Sequence, residues 1–95
     1  MPIDRHILVG RDIYSRDDLK VGEVRGVTED AEFVIIDRPL SEDLLVPMDE
    51  LHEVNGRLEI GRTRSYLDDA PGVDPDHMTV DDRQRLEEFY RAEAA

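Results

Sequence analysis

At 95 residues the chain is a single domain with room for a small core; 24 acidic and 12 basic side chains give it a net charge of -12, and it has no cysteine. Disulfides, thiolate metal sites and thiol catalysis are thereby excluded, and no apolar run approaches the roughly 18 residues that span a bilayer. Direct binding to nucleic acid, which works by releasing counterions from Lys and Arg contacts, is not expected of so acidic a chain. Lys20 is the only lysine beside eleven arginines. That balance suits a salt-loving or high-GC host, with codon bias alone an equal explanation. The opening Met1-Pro2-Ile3-Asp4-Arg5-His6 lacks the basic-then-apolar order of a secretory leader, so a cytoplasmic protein is expected.

Ile7, Leu8 and Val9 open the apolar pattern, and Gly10 bends the chain into a first strand around Asp12-Ile13-Tyr14. Residues 15–20 are polar and read as a hairpin loop; residues 21–27 are the return strand, in which Glu23 and Arg25 alternate with Val24. Gly22 and Gly26 in that strand mark bends or bulges. After a turn at 28–31, Phe33-Val34-Ile35-Ile36 is a strand apolar on both faces, each of which needs cover. A loop with Pro39 leads to Leu44-Leu45-Val46, which Pro47 stops, and Met48 to Leu51 reads as one helical turn. His52-Glu53-Val54 then pairs with Leu58-Glu59-Ile60 across Asn55-Gly56, the strongest short hairpin signal, expected as a type I′ turn. Residues 68–78, with two prolines and repeated aspartates, read as a linker. Thr79 and Asp82 hold the capping-box spacing at the start of a helix running from about Val80 to Ala94, with Leu86, Phe89, Tyr90 and Glu93 at helical spacing.

Five to six short antiparallel strands and one C-terminal α-helix make a mainly β protein, a small barrel or rolled sheet. The order of its elements resembles the PRC-barrel family: Gly10 before a strand, Val21-Gly22-Glu23-Val24 after a hairpin, the apolar strand 33–36, the Val46-Pro47 step and the closing hairpin 54–60. The resemblance covers about residues 5–67, leaving the linker 68–78 and an amphipathic helix 79–95 outside it. It implies a compact, non-catalytic barrel that holds proteins together, with no shared active site and no cofactor. By analogy with relatives in ribosome maturation, a factor docking on a basic protein is an alternative. A small-ligand or cation-binding barrel is another.

No residue pattern points to catalysis. Ser15, Ser41 and Ser65 lack a nucleophile-elbow context, and His6, His52 and His77 lie far apart without metal-ligand spacing. Asp74-Pro75-Asp76-His77 with Asp81 and Asp82 could meet a hard cation, but lacks the EF-hand spacing and reads as a solvated acidic linker. Arg57, Arg62 and Arg64 fall within eight residues; they could grip a partner's carboxylates or phosphate, or pair with the chain's own acids. Together with Leu86, Phe89 and Tyr90 of the tail helix they are the candidate partner-binding residues. A core built from roughly 60 residues is marginal alone. With a strand apolar on both faces, that leads to the expectation of a homodimer, with room for a further protein partner.

Overall fold

The computed structural model describes residues 8–39 and 41–92. His6, Ile7, Glu93 and Ala94, to which the sequence assigned positions in the fold, lie outside the described residues. Six strands form one sheet: β1 (Asp12–Tyr14), β2 (Lys20–Val27), β3 (Phe33–Asp37), β4 (Leu44–Pro47), β5 (Leu51–Val54) and β6 (Arg57–Ile60), in the spatial order β4-β3-β2-β1-β6-β5. A 3-10 turn at Met48–Glu50 joins β4 to β5. A short helix α1 (Arg64–Asp68) and a longer helix α2 (Val80–Ala92) follow.

Two corrections to the expected all-antiparallel barrel follow. β1 and β6 run parallel, pairing Ile13 with Leu58 and Tyr14 with Glu59, so the sheet is mixed. The sheet is also open: closure would require β4 to pair with β5, and these are its two edges. The remaining pairings are antiparallel. Helix α1 was not anticipated from the sequence.

Alternation decides which side chains go inside. Val24 of β2 is buried between exposed Glu23 and Arg25. Val21, buried although it shares their parity, lies where a bulge interrupts the pairing with β1, and a second bulge between Val24 and Gly26 resets the register against β3. At Gly22 the backbone of Asp37 comes so close that any Cβ would collide with its carbonyl oxygen, which requires glycine. Phe33, Val34 and Ile36 are fully buried and Ile35 is half-buried, so both faces of β3 find cover within one chain. Val73, Leu86 and Tyr90 join that same core from the linker and α2.

Two turns share one device. In the turn after β1, buried Ser15 gives its hydroxyl to Asp17, Asp18 N donates to Ser15 O at 3.0 Å, and Asp18 takes φ 69°. In the turn after β2, buried Thr28 gives its hydroxyl to Asp30 at 2.6 Å, Ala31 N donates to Thr28 O at 2.8 Å, and Ala31 takes φ 59°. Each aspartate also holds a later helix. Arg64 N, at the start of α1, donates to Asp17 Oδ1 at 3.0 Å, and Arg83 of α2 ion-pairs with Asp30 at 2.5 Å. Asp17 and Asp30 both lie below the ordinary aspartate range, chiefly because the neighbouring hydroxyl favours the ionised form.

Candidate functional site

Helix α2 is seated by the segment that follows β6. Thr63 caps α1, its hydroxyl accepting from Tyr66 N at 3.2 Å, and this places Arg62 and Tyr66 side by side. Both reach the last turn of α2, where backbone carbonyls lack partners within the helix. Tyr66 OH donates to Phe89 O, and the Arg62 guanidinium donates to Tyr90 O at 2.5 Å. A cation at a helix C-terminus also suits the helix dipole.

Arg62 is only 7% exposed, so its charge needs partners. Its Nε donates to Glu50 Oε1 at 2.5 Å, and its guanidinium carbon lies 5.0 Å from the Tyr66 ring centre and 5.9 Å from that of Tyr90. The rings of Tyr66, Phe89 and Tyr90 cluster, with centroids 4.5 Å apart for Tyr66–Phe89 and 5.1 Å for Phe89–Tyr90. Tyr90 OH crosses to the sheet and donates to Leu45 O at 2.8 Å. Burial pushes that phenol well above its usual range, so Tyr90 is a neutral donor at any physiological pH. A cleft of about 330 Å³ opens above Arg62 and Tyr90, with Asp49, Glu87 and Arg91 at its rim.

The six candidate residues divide. Arg62, Leu86, Phe89 and Tyr90 meet where α2 docks: Leu86 and Tyr90 are buried and Phe89 packs against the same core. Arg57 and Arg64 point elsewhere. Arg57 stacks 4.3 Å from the Tyr14 ring centre and pairs with Asp18 and with Glu59, the latter at 3.2 Å. Arg64 donates to Lys20 O at 2.9 Å and pairs with Asp68 at 3.5 Å, though its buried Nε makes no hydrogen bond among the described residues. Each of the three arginines is thus engaged by groups of the chain itself. Sequence reasoning missed Glu50 and Tyr66, and also Arg83, which pairs with Asp30 and Glu32 and lies 5.8 Å from the Phe33 ring centre. Only Thr63 three residues before Tyr66, a cap at helical spacing, signalled that Tyr66 sits on a helix.

Three carboxylates stand in direct register across the solvent face: Asp12 opposite Glu23, and Glu23 opposite Asp37, all exposed. Lys20 Nζ pairs with Asp12 at 3.2 Å. In the linker, Asp74 accepts from Asp76 N at 2.9 Å and contacts His77 Nδ1 at 3.0 Å. Among the described residues no group of three or more His, Cys, Asp or Glu side chains is arranged to hold a metal ion, and no helix is long and apolar enough to cross a membrane. No family model matches the chain, and no curated protein matches it in sequence.

Proposed function

We propose that the chain is a non-catalytic interaction module of the PRC-barrel type, an adaptor that holds other polypeptides. The observation that carries this reading is the unequal treatment of the two sheet edges. At β4, Pro47 has no N–H to offer, Tyr90 OH occupies Leu45 O, and α2 lies against the strand. At β5, His52, Glu53 and Val54 are exposed, and among the described residues no strand lies beyond them. An uncovered strand edge is a surface that recognises backbone, which is how many modules bind peptides. Arg62 and the aromatic cluster support the reading from the other side, because their polar groups are engaged in seating α2 rather than set out for chemistry.

The test is reconstitution. Proteins cross-linked to the chain in its native host are purified and mixed with it, and a stoichiometric complex is the expected outcome. If titration instead shows tight binding of a nucleic acid or a divalent cation, and no purified protein forms a complex, the reading falls. The homodimer belongs to the same proposal and rests on the small core, since the two-faced strand β3 is covered within one chain. Light scattering at micromolar concentration is expected to give twice the chain mass of 10.9 kDa. A clean single-chain mass removes self-association and leaves partner docking.

A further inference from the structure

The β5 edge specifies more than its exposure. A two-residue turn makes its flanking residues a hydrogen-bonded pair, so Val54 bonds with Arg57 and bonding recurs at every second residue. Gly61 N donates to Glu50 O at 3.1 Å, in step with that count. Leu51 and Glu53 therefore aim their backbone groups away from β6. Leu51 N–H turns back to Met48 O. What remains facing outward is the Leu51 carbonyl and both groups of Glu53.

The charged residues of this strand and of the turn before it have one sign, with Arg91 lining the same cleft as Asp49. From Asp49 to Val54 the chain carries Asp49, Glu50 and Glu53 and no lysine or arginine. Glu50 is engaged by Arg62, and Glu53 shares its charge with Arg11 at 2.9 Å while its side chain stays 48% exposed. Asp49 is exposed without an ion pair among the described residues. Val54, 44% exposed, supplies an apolar contact on the solvent face. We propose that β5 is the docking edge for an extended basic segment of another protein, which adds a seventh strand with Lys or Arg opposite Glu53, a further basic side chain reaching Asp49 in the preceding 3-10 turn, and an apolar side chain beside Val54. A second copy is the wrong occupant here. Two antiparallel β5 strands would set acidic side chains against acidic side chains, so self-association must use another surface. The inference rests on the interaction-module reading and gives it a surface and a partner class.

The experiment follows backbone amide signals of the full chain by NMR during titration with a capped peptide alternating lysine and valine. Its controls are a glutamate–valine peptide and a lysine–alanine peptide of helical pattern. Saturable shifts confined to the amides of β5 and its pair β6 are expected with the lysine–valine peptide only. Glu53→Pro removes the outward N–H without breaking a ladder bond and should weaken binding about tenfold. Val54→Lys, at an exposed position whose backbone pairing with Arg57 the substitution leaves in place, should weaken it by like-charge repulsion and serves if the proline variant fails to fold. Shifts that map to another surface overturn the β5 assignment and leave the module reading standing. Absence of binding up to millimolar peptide, or equal shifts from the glutamate–valine peptide, also overturns it.

Discussion

Asn55 and Gly56 hold φ of 53° and 79°, the type I′ geometry that a two-residue hairpin needs. Gly56 has open space around a would-be side chain, so its constraint is conformational and not steric. Gly56→Val is expected to cost about 1–3 kcal/mol in chemical denaturation, because a β-branched residue is forced to positive φ. Tyr90→Phe leaves Leu45 O without its donor and should cost about 1–2 kcal/mol by the same measurement. The turn aspartates give a pH signature. Asp30 titrates below its unfolded value, so the unfolded chain binds more protons in the window between the two values, and stability rises with pH there. Its contribution is fully present above the ordinary aspartate pKa of about 3.9 and is lost as pH falls through the depressed folded value. The difference in melting temperature between the parent and Asp30→Asn should therefore be constant from neutral pH to about pH 5 and shrink below pH 4. A difference that widens on acidification contradicts the assigned hydrogen bonds.

At the scale of elements, α2 is held by Leu86 at its middle, by the packed rings of Phe89 and Tyr90 towards its C-terminal end, and by polar contacts near both ends. Leu86 is fully buried, Arg83 pairs with Asp30 and Glu32, and Arg62 and Tyr66 engage the final carbonyls. Leu86→Ala should cost about 2–5 kcal/mol and lower the melting temperature. Arg62→Met should leave the sheet amides protected while those of α2 exchange faster, since it removes a docking contact and no core volume. The N-terminus of α2 was legible because Thr79 and Asp82 exchange local hydrogen bonds, each at 3.1 Å. The strands were legible from two local signals, alternation around Val24 in β2 and along β6, and short continuous apolar runs in β3 and β4. Helix α1 was not, since five residues give no period to read. Nor was Val73, a lone buried residue in an acidic stretch whose composition says solvent. Counting charges could not show which of three neighbouring arginines would turn inward, because that depends on where Tyr66 and the end of α2 come to lie.

For the molecule as a whole, the acidic surface opposes compactness, and the row of Asp12, Glu23 and Asp37 concentrates that opposition on one face. Added salt should raise the melting temperature, and Glu23→Lys should raise it while flattening the salt dependence. Strand pairing across the whole sheet was the part least accessible from sequence: hairpins declare their partners, whereas β1 and β6 lie more than forty residues apart and their parallel pairing has no local marker. That pairing divides the sheet into two neighbour-connected pieces, β1 to β4 and the hairpin β5–β6, joined through a ladder with only Ile13–Leu58 and Tyr14–Glu59 in register. Each piece can form from contacts close in sequence, but the join must close a long loop before any contact rewards it. The rate of folding should therefore be set at this seam. A conservative truncation at Leu58, such as Leu58→Ala, is expected to slow folding when it touches the rate-limiting contact. Truncations within the β3–β4 hairpin should act mainly on the rate of unfolding.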